Sequence, residues 1–253
     1  MKKRNITLKA DNLCLADEIY FPETTKQHCP ALCLCHGIPS GQRAPNDRGY
    51  PALAERFCAA GFITLIFNFR GTGQSQGNLD ILGWTRDLKA AIDFLSSLNE
   101  VDRSNLYLLG SSGGAAVSVY VAAHDPRVSS VVTLACPAEF GFLTDVQQTE
   151  STLDHFRSIG AIRDADFPHS IDEWGEGFNT VSPIRWIDKI SPRPLLLIHG
   201  EEDEVVPIEH AFRLYKQARE PKELVTIPGA GHRLRLEEKA IATALNQLKA
   251  RLR

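Results

Sequence analysis

The sequence predicts an α/β fold, a mostly parallel twisted sheet with helices on both faces, and three observations carry that expectation. Short apolar runs of strand length alternate with longer segments of helical periodicity from residue 31 to the end of the chain. Several of the runs, residues 62–69 above all, are nearly all apolar, as strands covered on both faces should be. The chain has 253 residues, 43% of them hydrophobic, which is enough to bury the core of one large domain of this kind.

Taken in order, residues 6–10 and 13–21 read as strands joined by Asp11-Asn12, a turn pair suited to a tight antiparallel hairpin. Residues 31–35 form a short apolar strand ending in His36-Gly37. Residues 50–60 carry apolar side chains at helical spacing and stop at Gly61. Strand 62–69 follows, then helix 83–98, strand 106–109, helix 113–123 and strand 128–135. After an interval come strand 195–199, helix 208–219, strand 224–227 and a closing amphipathic helix over 236–252. Parallel strands joined through helices require crossovers of this length.

The interval, 137–182, breaks the rhythm. It mixes Phe140, Phe142, Phe156, Phe167, Trp174 and Phe178 with acids and glycines. A structureless loop of that length is improbable inside a compact domain, so it reads as a helical insertion laid over the site, within one domain spanning 1–253. One ordinary sheet-packing helix with long flanking loops is the plainer alternative.

The net charge is -3, with Lys and Arg scattered apart from Lys2-Lys3-Arg4. This leaves no basic field for nucleic acid or an anionic membrane. No long apolar run follows the basic start, as a signal segment would need, and no stretch approaches the roughly 18 apolar residues of a membrane span. The expectation is a cytoplasmic protein. The six cysteines form no Cys-x-x-Cys pair and read as small core residues of a reducing compartment. No cluster of ligand-type residues suggests a metal or an organic cofactor.

Chemistry concentrates at Gly110-Ser-Ser112-Gly-Gly114. Gly-x-Ser-x-Gly is weak by itself, and this chain contains it twice, the other copy being Gly73-Gln-Ser75-Gln-Gly77. Context separates them. A nucleophilic serine on a sharp turn needs a strand immediately before it and a helix immediately after. Ser112 has both; Ser75 lies between turn-rich stretches. Without partners Ser112 would read equally well as a helix N-cap.

A serine hydroxyl needs a base, and the base needs a carboxylate to fix its tautomer. Of eight histidines, His232 sits in Pro228-Gly-Ala-Gly-His232, a glycine-rich loop between a strand and the last helix. Such a loop aims a side chain without steric obstruction. Asp203 lies in the acid-rich turn Gly200-Glu-Glu-Asp-Glu204 that follows a buried strand. Its short side chain holds position better than the flanking glutamates, which read as solvated.

The ordered set Ser112, Asp203, His232 resembles the α/β-hydrolase superfamily, whose triad follows that chain order. His36-Gly37 resembles the oxyanion motif of that superfamily. By this resemblance the backbone N–H groups of Ile38 and Gly113 would hold an oxyanion. The segment Phe67-Asn-Phe-Arg70-Gly-Thr-Gly-Gln-Ser75 resembles a structural loop of the same proteins, so Arg70 and Ser75 take no catalytic role. The resemblance covers residues 6 to 250. Size and insertion are similar to small carboxylesterases, including cinnamoyl-type esterases, dienelactone-hydrolase-like proteins and serine-peptidase relatives. The single His-Gly before Ile-Pro argues against the hormone-sensitive-lipase branch. Serine at the nucleophile position argues against haloalkane dehalogenases, epoxide hydrolases and dienelactone hydrolases proper.

The resemblance implies a serine hydrolase that cleaves a small-molecule carboxylic ester without cofactor or metal. A thioester or a small amide or peptide would use the same machinery, and a hydrolase scaffold kept only for binding is the third alternative. Aromatic side chains of the insertion, with Trp174 and Phe178 as candidates, would wall an acyl or alcohol pocket. Plain packing is the alternative reading of each, and the one that weighs more. Monomer and homodimer are both compatible with the sequence, and neither nucleic acid nor membrane is an expected partner.

Overall fold

A hairpin starts the sheet, and its turn is built as the residue types dictate. Asp11 and Asn12 have φ of 48° and 66°, the left-handed pair that matches the strand twist of a two-residue hairpin. The turn joins β1 (Lys2–Ala10) to β2 (Leu13–Phe21) in antiparallel register, Ala10 opposite Leu13. The structure, a computed structural model, describes residues 1–23, 28–41, 47–141 and 149–252. Phe142, one of the aromatics of the insertion, lies outside them.

Six further strands complete the sheet: β3 (Cys29–Cys35), β4 (Ile63–Phe67), β5 (Val101–Ser111), β6 (Ser130–Leu134), β7 (Leu195–Gly200) and β8 (Lys222–Ile227). Their order is β1-β2-β4-β3-β5-β6-β7-β8. β2 pairs antiparallel with β4, and every later pairing is parallel. From β3 the chain steps one way to β4, and from β5 it steps the other way through β6 to β8. The reversal opens a crevice at the carboxyl ends of β3 and β5, where open α/β sheets bind ligands.

Two apolar layers sandwich the sheet. α1 (Gly49–Ala59) and α7 (Glu238–Ala250) cover one face through Leu53, Phe57, Ile241 and Leu248. α2 (Ile81–Ser97), α3 (Gly113–His124) and α6 (Glu209–Gln217) cover the other through Trp84, Leu88, Val117 and Leu214. Asp80 caps α2 by accepting from the Leu82 N–H, which starts that helix two residues ahead of the sequence expectation. Among the described residues, no helix is long and apolar enough to cross a membrane.

The interval between β6 and β7 contains α4 (Thr149–Ser158) and α5 (Ile171–Val181). α5 packs on α2 and α3. The stretch between the two helices is stitched to the loop after β4. Arg163 donates to the carbonyls of Ser75 and Gly73, and the N–H groups of Arg163 and Asp164 donate to Asn78 Oδ1. The second Gly-x-Ser-x-Gly segment is therefore a bracket for the insertion. Ser75 itself is buried and fully engaged, accepting from the Ala16 N–H and donating to the Asn68 carbonyl. Arg70 is likewise structural: its guanidinium pairs with buried Asp87 at 2.6 Å and with Asp11 of the hairpin turn at 2.9 Å.

One buried carboxyl is poorly served. Asp17 accepts from the Leu8 N–H through Oδ2, while Oδ1 has no partner among the described residues. Burial pushes its pKa up to about 7. The folded chain therefore keeps this proton up to about pH 7, whereas the unfolded chain releases it near pH 4. Between those values the native state binds more protons, so stability falls as pH rises through the window. Asp17→Asn keeps the acceptor for Leu8 and removes the charge. It should raise the thermal midpoint by roughly 5 °C at pH 8 and leave it unchanged at pH 4. A difference independent of pH would show that Asp17 titrates normally.

Candidate active site

Ser112 stands where β5 turns into α3, and its backbone is strained there, with φ 51° and ψ -124°. The surroundings hold it in place. Its N–H donates to the Leu134 carbonyl at 2.8 Å, and its own carbonyl accepts from Ala115 and Ala116 to start α3. The flanking glycines are required by space. A Cβ on Gly110 would lie 2.5 Å from the Ala115 Cα, and one on Gly114 would lie 2.2 Å from the His36 carbonyl oxygen. Gly114→Ala must push α3 off β3 and should destabilise by about 3 kcal/mol or more. A urea midpoint equal to wild type would show that the junction can yield.

The other two sequence-selected side chains converge on Ser112. Ser112 Oγ lies 3.1 Å from His232 Nε2, and His232 Nδ1 lies 2.9 and 3.0 Å from the two oxygens of Asp203. With its proton on Nδ1 facing the carboxylate, the imidazole presents an acceptor nitrogen to the serine hydroxyl. Asp203 follows β7, and His232 follows β8 on a loop drawn tightly onto the β7 end. A Cβ on Gly200 would meet the Ala230 carbonyl at 2.2 Å.

The Asp203 side chain is fully buried. Burial acts to raise its pKa, but the His232 hydrogen bond and the N–H groups of Val206 and Val205, at 2.8 and 3.0 Å, outweigh it and hold the carboxyl below the usual range. A second histidine sits beside it. His199, buried at the end of β7, donates from Nε2 to the Val206 carbonyl at 2.8 Å and lies 3.4 Å from Asp203. Burial lowers its pKa, so it stays neutral beside the acid.

Ile38 and Gly113 lie against each other beside Ser112. A Cβ on Gly113 would fall 2.8 Å from Ile38 Cγ1 and 3.5 Å from the Ile38 nitrogen. A Cβ on Gly37 would fall 2.9 Å from Ser112 Cβ. Among the described residues, neither the Ile38 N–H nor the Gly113 N–H has a protein acceptor. Ser111, the other serine of the motif, lies toward the Tyr50 hydroxyl.

Trp174 and Phe178, on α5 of the insertion, are buried in the core. Their ring centroids are 4.8 Å apart, and Phe140 and Phe156 pack around them. The Trp174 indole donates to the Leu79 carbonyl. Neither ring borders the cavity of about 620 Å³ that opens between β1, β2 and the start of α1, whose lining includes His36, Asp47, Tyr50 and Arg235. Asp47 pairs with Arg235, three residues after His232, and the Arg235 guanidinium lies 5.5 Å from the Tyr50 ring centre. This tie between the stretch just ahead of α1 and the histidine loop joins residues 188 apart, and no local pattern announces it. Among the described residues, no group of three or more His, Cys, Asp or Glu side chains is placed to hold a metal ion.

The strand order, the strained serine after β5 and the later acid and histidine define an α/β hydrolase. The model of the prolyl oligopeptidase family (Peptidase_S9) matches residues 51–250, and the chain belongs to that family. An uncharacterized protein of Mycobacterium tuberculosis is 29% identical over 84% of this chain and 66% of its own length. The uncharacterized protein YfhR of Escherichia coli K12 is 33% identical over 68% of this chain and 53% of its own. The chain thus spans about half to two-thirds of the length of these curated relatives. In structure it is similar to the alpha/beta hydrolase GrgF from a Penicillium species, with TM-score 0.77, 20% identity and 99% of both chains covered. It is also similar to Est1E from Butyrivibrio proteoclasticus, solved with ferulic acid bound, with TM-score 0.73, 23% identity and 97% and 100% of the two chains covered.

Proposed function

We infer that this hydrolase cleaves carboxylic esters through Ser112, His232 and Asp203. The observation that carries the reading is the hydrogen-bonded line from the Ser112 hydroxyl through His232 to a buried, ionised Asp203. Ser112 Oγ attacks the ester carbonyl, and its proton passes to His232 Nε2. The carbonyl oxygen becomes an oxyanion held by the N–H groups of Ile38 and Gly113. Collapse expels the alcohol, which takes the proton from His232 and leaves an acyl group on Ser112. Water then gives a proton to His232 and attacks the acyl carbon, and the acid departs as Ser112 regains its proton. Asp203 holds the imidazole tautomer and stabilises its charged form throughout.

The insertion supplies the acyl or alcohol wall in this reading, as a cap on the single domain, with Trp174 and Phe178 backing it from the core. Its approach to the site is supported by Ile159, whose Cγ2 would lie 2.8 Å from a Cβ on Gly41 of the loop after β3. The substrate is a small ester, and the setting is the cytoplasm, where the five buried free cysteines stay reduced. A small amide or peptide is the second reading, and membership of the prolyl oligopeptidase family is what favours it. Comparing kcat/KM on p-nitrophenyl esters, matched thioesters and aminoacyl p-nitroanilides separates these bonds. The expected order places esters first; faster turnover of the anilides would replace the ester reading with the peptidase one.

A further inference from the structure

We propose that His36 is a positioning residue for the oxyanion site, locking the Gly37–Ile38 peptide so that the Ile38 N–H faces the reacting carbonyl. This rests on reading Ser112 as the nucleophile and Ile38 as an oxyanion donor.

The Gly37 carbonyl and the Ile38 N–H belong to one planar peptide unit and point in opposite directions. Whatever fixes the carbonyl therefore aims the N–H. His36 Nδ1 lies 2.7 Å from the Gly37 oxygen, so this nitrogen carries the proton and donates it. The other ring nitrogen, Nε2, then accepts from the Phe69 N–H at 3.2 Å. One neutral tautomer satisfies both contacts and leaves Nε2 an acceptor toward the Thr72 hydroxyl as well, 3.1 Å away. The ring is walled edge-on by Phe69, Trp84 and Tyr50, at centroid distances of 5.1, 5.5 and 6.1 Å. Two of these walls are themselves anchored: Trp84 stacks on Phe69 and donates to the Arg70 carbonyl. The imidazole therefore has one orientation.

A lock is needed because the peptide follows a glycine. Gly37 must be glycine, since a Cβ would collide with Ser112, and glycine tolerates either orientation of the peptide that follows it. A flipped peptide would turn the carbonyl oxygen toward the place where negative charge develops. Repulsion would then replace stabilisation at the point where a preorganised donor matters most.

The test separates the two ring nitrogens. Asparagine places its Nδ2 near the position of Nδ1 and can still donate to Gly37. Glutamine reaches only the Nε2 position and keeps an acceptor for Phe69. With a p-nitrophenyl ester, His36→Gln should lower kcat by roughly ten- to a hundredfold with KM within about threefold of wild type. It should weaken a trifluoromethyl ketone, which forms an oxyanion adduct on serine, by the same factor. His36→Asn should recover most of the lost kcat while unfolding at a lower temperature than His36→Gln, so that activity and stability rank in opposite order. Losses of kcat that simply follow the thermal midpoints would overturn the proposal, as would wild-type kcat and ketone affinity in His36→Gln. Ser112→Ala in the same assay isolates the underlying reading. If it still turns over, that reading falls and the positioning role with it. If it is inactive while His36→Gln is unchanged, the positioning role alone falls.

Discussion

Ser112→Ala should abolish ester hydrolysis, a fall in kcat of roughly 10⁵-fold or more, together with all labelling by a fluorophosphonate probe. The size follows from the chemistry: without Oγ there is no atom to carry the acyl group, and only binding and the oxyanion donors remain. The fold should survive, because the turn is held by backbone hydrogen bonds to Leu134, Ala115 and Ala116 that alanine keeps. Alanine inherits the strained φ of 51°. Ser112→Gly, which is also inactive, should therefore be more stable than Ser112→Ala. Labelling of Ser112→Ala at the wild-type rate would assign the nucleophile elsewhere. Ser75 is a poor second choice, since both roles of its hydroxyl are already taken inside the protein.

What could be read from the sequence was what local chemistry decides. Asp11-Asn12 announces its hairpin because two adjacent residues must both accept positive φ. Ser112 was separable from Ser75 because a strand-then-helix setting is written into the flanking residues. The alternation of apolar runs and helical segments carried the mostly parallel sheet. Edges were harder. β1 begins at Lys2, four residues before its apolar run, because exposed strand ends need backbone partners and no apolar side chains; β5 begins at Val101, which is buried opposite Cys29 but cut off from the apolar run by the polar stretch Asp102–Asn105. The start of α5 is also written locally: Ser170 accepts from the Glu173 N–H, an N-cap spacing visible in Ser-Ile-Asp-Glu. At the site, residue types and chain order were legible. The placement of His199 beside Asp203, the Asp47–Arg235 pair and the orientation of His36 were not, since each depends on how β3, β7 and the last loop come together in space.

Asp203→Asn should lower kcat by roughly 10³- to 10⁴-fold with little change in KM, although the two side chains are nearly isosteric. The reason lies in the carboxylate's partners. Val205 and Val206 both donate to Oδ1, so an asparagine would keep its carbonyl oxygen there. Its amide nitrogen would then take the Oδ2 position, 2.9 Å from His232 Nδ1, and present protons to a nitrogen that now donates. The imidazole relieves the clash by moving its own proton to Nε2. That tautomer faces Ser112 with a donor and cannot accept the hydroxyl proton. Nor is there a negative charge left to stabilise the imidazolium. His199 cannot substitute, since it is neutral and its Nε2 proton is committed to the Val206 carbonyl. pH adds a second reading of the same residue. Because the folded pKa of Asp203 is held below the ordinary carboxylate range, its contribution to stability is fully present above that range. It is lost only as pH falls through the folded value. Wild type and Asp203→Asn should thus differ most in stability at neutral pH and converge in strong acid, while the activity gap stays open wherever wild type is active. An Asp203→Asn enzyme within tenfold of wild-type kcat at pH 7 would move the supporting acid to another residue of the Glu201–Glu204 turn.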